Sequence, residues 1–147
     1  MSFSKPDANN FSLFLLRLIL GWYFAFAGWR KVGGEISNGL GSFFRGDGFQ
    51  NRQPDFIPDL LMAPYGYALP WAELIFGITL LLGLFHRVSA WAVQFMLVTI
   101  GIALLFSGEL FPTHHVLVFI PALLILQLQG PGAYNLDRLI AKKPQKS

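Results

Sequence analysis

The sequence predicts an all-α membrane protein, a bundle of four transmembrane helices, and two observations support this prediction. Of the 147 residues, 54% are hydrophobic and 13% are charged, whereas soluble domains carry about 25% charged residues. Four long apolar stretches follow one another along the chain, and a helix needs about 20 apolar residues to cross the hydrocarbon core of a bilayer. Because lipid offers no hydrogen bonds to an open backbone, these stretches are expected to be helical. We expect one domain over residues 1–147.

The first three stretches have the length of membrane-spanning helices. The first helix is expected at about 11–30, and Arg17 is the only charge in its apolar run from Phe11 to Trp29. The second is expected at about 68–86 and contains a single acid, Glu73. The third is expected at about 88–107 and carries no charge. Each of the three is therefore long and apolar enough to span the membrane.

The fourth stretch is shorter and is followed by a polar tail. A helix is expected at about 113–129, with a kink at Pro121 because proline removes a helical hydrogen bond. The segment Gly130-Pro131-Gly132 should end this helix. Residues of about 134–142 mix leucine and isoleucine with charges at helical spacing, which indicates a short amphipathic helix on the membrane surface.

The longest connection, residues 32–67, is expected to be an outer loop between the first two helices. It is rich in glycine, proline and aspartate, and it also contains many aromatic side chains. A solvated linker would not be so aromatic, so we expect the loop to fold back on the bundle, with a short helix near 59–63. Long loops often carry function, but a cap over the helix ends explains the same composition.

Lysine and arginine are distributed unevenly over the predicted connections. One side of the membrane would hold Lys5, Arg87, Arg138, Lys142, Lys143 and Lys146. The other side would hold Arg30, Lys31, Arg45 and Arg52. The positive-inside rule then places both termini in the cytoplasm and the chain in the inner (plasma) membrane as a multi-pass protein. The net charge of +3 is not arranged as a nucleic-acid patch, so no nucleic-acid partner is expected.

The absence of cysteine restricts the chemistry that this chain can perform. With no Cys, disulfides, thiolate metal sites and thiol–disulfide exchange are excluded. No histidine or acid spacing resembles a metal motif, so no metal site is expected. There is also no dinucleotide or phosphate-loop fingerprint.

Three segments occur in an order that resembles the DoxX family of four-helix bacterial and archaeal membrane proteins. They are Arg17-Leu-Ile-Leu-Gly21 with the following Gly28 and Lys31, Pro70-Trp-Ala-Glu73-Leu-Ile-Phe-Gly77, and Gly130-Pro-Gly-Ala-Tyr-Asn-Leu-Asp137. The resemblance covers nearly the whole chain. It implies the four-helix fold, but the family is functionally mixed. Some relatives are membrane subunits of a thiosulfate:quinone oxidoreductase, others are linked to oxidative stress or redox partners, and many have no assigned role.

The resemblance implies a membrane subunit of a redox complex, with a quinone as its cofactor or substrate. Because the chain lacks cysteine and a nucleotide fingerprint, the electron donor would belong to a partner subunit. Two alternatives stay open: a non-catalytic scaffold that assembles a larger complex, and a small-solute transporter formed by a homo-oligomer. Whether the chain is an enzyme is also left open. Its partners are expected to be lipid and either other redox or membrane subunits or further copies of itself.

Two charges fall inside the predicted spans, and such charges usually find partners because each costs about 2.5–3.5 kcal/mol on insertion scales. Arg17 is expected about 9 Å from the inner end of its helix and Glu73 about 8 Å from the outer end of its own, so they should not pair with each other. Lys31 is the expected partner of Glu73, with Arg30 competing, and Asp137 is the expected partner of Arg17. These pairs either fix helix register or handle substrate or protons.

Aromatic residues and histidines near the outer boundary are candidates for a ligand pocket. Trp29 and Trp71 are explained first as interfacial anchors, but with Arg30 and the nearby loop aromatics they could surround a quinone ring. His114 and His115 point about 100° apart on a helix, so they make a poor joint metal site. One of them could bind a quinone carbonyl or, as a weaker alternative, haem.

Small residues mark places where helices can approach closely. Gly21, Gly28 and Gly77 lie within predicted spans, where glycine favours close helix packing. They are therefore interpreted mainly as packing positions, although a basic face between helices could also bind an anionic group.

Overall fold

The computed structural model describes residues 5–54, 56–108, 110–132 and 135–141, and seven helices account for most of them. They are α1 (Lys5–Asn38), α2 (Ser42–Arg45), α3 (Asp47–Gln50), α4 (Asp59–Leu82), α5 (His86–Phe106), α6 (Leu110–Gln129) and α7 (Leu136–Ala141). No strand occurs in these ranges, which confirms the all-α prediction for the described part of the chain.

Among the described residues, three helical segments are long and apolar enough to cross a membrane: Ala8–Asn38, Asp59–Leu82 and His86–Phe106. The described part of α6 contains a shorter apolar segment, Val118–Gln129, which is not one of these three. α6 as a whole has 20 residues and contains Pro121. The apolar helices therefore indicate a bilayer environment, and the fourth span stays a prediction.

The connection between the first two long helices is shorter than the predicted loop 32–67. α1 continues to Asn38 instead of ending near 30, and α4 begins at Asp59 instead of 68 and ends at Leu82 instead of 86. α1 continues through Gly33 and Gly34 because Val32 and Glu35, on either side, are buried. α4 includes Pro64 and Pro70, residues that transmembrane helices tolerate when neighbouring groups satisfy the backbone. The residues predicted as a separate helix at 59–63 are the first turn of α4.

The four long helices meet around a core of aliphatic side chains. Leu20 of α1, Leu80 of α4, Val93 of α5 and Leu123 of α6 are each at most 1% exposed. The opposite faces of the helices carry large exposed hydrophobic residues, among them Ile19, Trp22, Phe26, Trp91 and Phe95. An apolar outer surface over an apolar core fits a bundle surrounded by lipid.

α1 and α4 cross in close contact at the glycines that were predicted to be packing positions. A Cβ atom on Gly21 would lie less than 3.0 Å from the backbone of Leu81, and one on Gly28 equally close to the backbone of Leu74. A Cβ atom on Gly77 would meet the backbone of Ala25 at a similar distance. Only hydrogen fits in these gaps, so the glycines bring the two antiparallel backbones together.

We call the end of the bundle that carries residues 39–58 the loop end, and the end where the α4–α5 turn meets α7 the tail end. At the loop end, α2 packs against α1, α3 and α4. Gly39 and Gly41 turn the chain with φ values of 89° and 81°, a region that glycine enters without strain.

Candidate functional site

A lysine–glutamate ion pair joins α1 to α4 inside the bundle. Lys31 Nζ lies 2.7 Å from Glu73 Oε1 and 2.6 Å from Glu73 Oε2. Glu73 is 2% exposed and Lys31 is 26% exposed. Gly28, one turn before Lys31, packs on the backbone of Glu73 and Leu74, which brings the lysine side chain within reach of the acid. The expected Lys31–Glu73 contact is therefore present, while Arg30 is exposed.

The ion pair lies deeper than its predicted position about 8 Å from the end of the second helix. Because α4 begins at Asp59, Glu73 lies about 21 Å from the first residue of the helix and about 14 Å from the last at 1.5 Å per residue. The pair therefore belongs to the middle part of α4, away from both ends of the helix.

A pocket of about 400 Å³ lies between the loop-end segment and the long helices. Leu69 of α4, one turn before Glu73, and Lys31 mark its deep end, and Met62 lies toward the loop end. The described residues that line it are Lys31, Phe43, Gly48, Phe49, Arg52, Gln53, Pro54, Ile57, Met62, Tyr65, Leu69, Thr99, Ile100, Ile102 and Ala103. The wall is almost wholly apolar, and two of these residues are charged.

Three aromatic rings and one hydroxyl pair shape the pocket wall. Lys31 Nζ lies 4.8 Å from the centre of the Phe43 ring, close enough for a cation–π contact. The Phe43 and Phe49 ring centres are 5.4 Å apart, and those of Phe49 and Tyr65 are 6.5 Å apart. The Tyr65 hydroxyl lies 2.6 Å from Thr99 Oγ1. The pocket thus offers flat apolar faces and, at its deep end, an ammonium group.

A second buried acid, Glu35, holds in place the part of the pocket wall that Phe43 forms. Glu35 is 2% exposed, and its carboxylate accepts the backbone N–H groups of Gly41 and Phe43. It therefore fixes the start of α2 and the position of the Phe43 ring beside Lys31. Glu35 was not predicted as a site residue, although its place four residues after Lys31 puts both on one helical face.

At the tail end, charged side chains bond to backbone groups. Arg17 is 1% exposed, and its Nη1 donates to the Pro131 carbonyl at 2.9 Å. Asp137 Oδ1 accepts the Phe85 N–H at 2.9 Å, and Oδ2 accepts the His86 N–H at 3.0 Å. Asp137 therefore caps α5, which begins after Phe85 in a left-handed conformation with φ 47°.

Arg17 and Asp137 both lie next to the same glycine, Gly83. A Cβ atom there would lie less than 3.0 Å from Arg17 Nη1, and the Gly83 carbonyl accepts the Asp137 N–H at 3.3 Å. A direct Arg17–Asp137 contact stays a prediction. Arg17 and Lys31 are about 21 Å apart along α1. The Lys31–Glu73 pair and the Arg17 and Asp137 charges therefore lie at two separate levels of the bundle.

The remaining predicted pocket residues lie elsewhere. Trp29 is 65% exposed and Trp71 is 38% exposed; neither these nor Arg30 lines the pocket described above. The side chains of His114 and His115, in the first part of α6, are outside the described residues. The loop aromatics that were grouped with Trp29 and Trp71 do reach the pocket, through Phe43 and Phe49. Within the described ranges, no cluster of three His, Cys, Asp or Glu residues could hold a metal.

The helices, the ion pair and the pocket define an α-helical membrane protein with charge inside its bundle and an apolar pocket beside that charge. Residues 12–108 match the DoxX family model, which is well over half of the chain, and the protein belongs to the DoxX family. No curated protein and no solved structure matched the chain.

Proposed function

We propose that this DoxX-family protein is the membrane subunit of a redox complex and that its pocket holds a quinone ring. One observation carries the proposal: a mostly apolar, aromatic-walled pocket of about 400 Å³ has Lys31 in its lining, with the Lys31 ammonium 4.8 Å from the centre of the Phe43 ring that also lines it. Ligand pockets in proteins generally combine an apolar lining with a few placed polar groups, and this volume lies within their usual range.

Near Lys31 the pocket favours a neutral ligand with a hydrogen-bond acceptor; the second cation of the lining, Arg52, donates to the Gly48 carbonyl. Glu73 balances the charge of Lys31, so an anionic ligand would compete with Glu73 for the ammonium. A quinone is flat, neutral and apolar except for its carbonyl oxygens. Lys31 can donate to one carbonyl while it keeps its bond to Glu73, and Phe43, Phe49 and Tyr65 supply ring faces for stacking.

The chain itself provides binding, orientation and exclusion of water. Reduction of a quinone consumes two electrons and two protons. Since the chain has no cysteine and no nucleotide fingerprint, the electrons would come from a flavin, haem or iron–sulfur group of a partner subunit. We propose that Lys31, which lines the pocket, and Glu73, its buried partner, supply the protons.

Purification in a mild detergent from native membranes tests this proposal. Organic extracts are analysed for quinone by mass spectrometry, and co-purifying proteins are identified. We expect quinone and a redox subunit with the wild type. The double variant Lys31→Met/Glu73→Gln, which removes the charges together, should lose the quinone. Arg30→Met, a neighbouring exposed cation, is the matched control and should retain it. A quinone-free homo-oligomer would refute the proposal.

The two alternatives give different results in related experiments. A non-catalytic scaffold co-purifies with an enzyme that is active without it, and the pocket variants leave that activity unchanged. A transporter formed by this chain alone takes up solute after reconstitution into liposomes.

We also propose that the protein lies in the inner membrane with both termini in the cytoplasm. Arg87 and the basic residues after Asp137 support this orientation. Reporter fusions at the C-terminus and at Gly48 in the loop-end segment should then report opposite sides.

A further inference from the structure

The tail end carries a second concavity, a groove of about 600 Å³ between the start of α5, the end of α6 and α7. It is wider and more polar than the loop-end pocket. His86, Arg87, Gln127 and Asp137 form its polar side. Phe85, Val88 and Leu128 form an apolar side and are 67%, 61% and 85% exposed. Polar and lipid-facing surfaces therefore meet within one groove.

One cation of the groove is available to bind an anionic group. Both oxygens of Asp137 already accept backbone N–H groups, from Phe85 and His86. Arg17 lies behind the groove and is buried. Arg87 is exposed and makes no side-chain hydrogen bond or ion pair within the described residues. A free guanidinium binds phosphate oxygens in a bidentate manner.

The start of α5 also favours an anion. The first turn of a helix has N–H groups without helical acceptors, and Asp137 caps only those of Phe85 and His86. The side chain of His86 is 5% exposed, and its Nε2 donates to the Leu126 carbonyl at 3.1 Å. Its other ring nitrogen is then an acceptor and takes no part in binding an anion. The groove thus combines a free cation with the N–H groups of a helix start.

The sequence after Asp137 strengthens this positive character. Arg138, Lys142, Lys143 and Lys146 follow within ten residues of the chain end. Clusters of lysine and arginine next to a transmembrane helix attract anionic lipids. We infer that the tail-end groove binds the phosphate headgroup of an anionic phospholipid, with an acyl chain along Val88 and Leu128. The inference is independent of the proposed quinone site.

Thermal unfolding of the delipidated protein in detergent tests the inference. Phosphatidylglycerol and phosphatidylcholine with identical acyl chains are added separately, and inorganic phosphate is a third addition. Phosphatidylglycerol should raise the Tm more than phosphatidylcholine does, and phosphate should leave it unchanged. Arg87→Gln should weaken the apparent affinity for phosphatidylglycerol about tenfold. Arg30→Gln, at the loop end, is the matched control and should retain wild-type affinity.

Three results would overturn the inference. An equal response to inorganic phosphate would show a site for a free anion. An equal loss of affinity in both variants would show general surface attraction, and an unchanged affinity in Arg87→Gln would exclude the groove. If Arg87→Gln does not fold, Arg87→Lys is compared instead, since it keeps the charge and loses the bidentate contact. Native mass spectrometry of the wild type should also show bound phosphatidylglycerol.

Discussion

The two ends of the bundle satisfy buried charge in different ways. Toward the loop end, Lys31 and Glu73 bond to each other across two helices. At the tail end, Arg17 bonds to the Pro131 carbonyl and Asp137 bonds to two backbone N–H groups. Two side chains that bond to each other can both be replaced without breaking a bond to the backbone. They can also bond to a ligand. A charge that bonds to backbone fixes the path of the chain. The difference supports the ligand role that we propose for Lys31 and Glu73, and a structural role for the charges that bond to backbone, which at the loop end include Glu35.

The largest expected effect comes from breaking the Lys31–Glu73 pair on one side only. Lys31→Met should reduce the free energy of unfolding by about 3 kcal/mol, because it leaves the Glu73 carboxylate, 2% exposed, as an uncompensated buried charge. Lys31→Met/Glu73→Leu should restore most of the loss, since apolar replacement of a whole buried pair is often neutral. Titration with a denaturing detergent measures both. Equal losses in the single and double variants would show that the charges are not coupled.

The close α1–α4 crossing should be the next most sensitive feature. Gly28→Ala places a Cβ less than 3.0 Å from the backbone of Leu74, and overpacking of this kind costs about 1–3 kcal/mol. Gly33→Ala is the matched control, because nothing lies within 4 Å of its Cβ; it should be neutral or stabilising, since alanine favours helix. The same unfolding titration compares them. If the two substitutions have the same effect, Gly28 does not set the distance between the helices.

Much of the bundle and one contact of the site can be predicted from the sequence. Hydropathy predicts the long helices, and the helical face shared by Gly28 and Lys31 predicts the contact with Glu73. The start of α4 could not be predicted, because Pro64 is a loop signal in water and is accommodated within the helix. At the start of this helix, packing therefore overrides the local conformational preference of the sequence.

The walls of the pocket and the cap of α5 depend on residues far apart in the chain. Tyr65 meets Thr99, and Asp137 meets Phe85, only after the helices have packed. No local pattern contains these pairs. The sequence predicted anchoring and ligand roles for Trp29 and Trp71 from their aromatic character, but that character alone does not tell whether a ring faces lipid or a pocket.

Loss of the α5 cap should have a smaller effect that is confined to the tail end. Asp137→Asn keeps one carbonyl oxygen for the two N–H groups of Phe85 and His86, and the loss of a helix cap costs about 1 kcal/mol. Hydrogen exchange should become faster at these two amides, while exchange in α4 around Glu73 is unchanged. A similar acceleration in α4 would show that the charges at the two levels are energetically connected.

The smallest effect is expected from the hydroxyl pair in the pocket wall. Tyr65→Phe removes the 2.6 Å contact with Thr99 Oγ1, and a hydrogen bond of this kind contributes about 1 kcal/mol. The threonine hydroxyl keeps its own acceptor, the Met96 carbonyl at 2.8 Å, so the wall should not rearrange. Because the ring remains, Tyr65→Phe should keep the quinone that the Lys31→Met/Glu73→Gln variant loses. Mass spectrometry of the extracts measures the difference in bound quinone. A loss of quinone in Tyr65→Phe would show that the polar end of the ligand bonds to the tyrosine and not to Lys31.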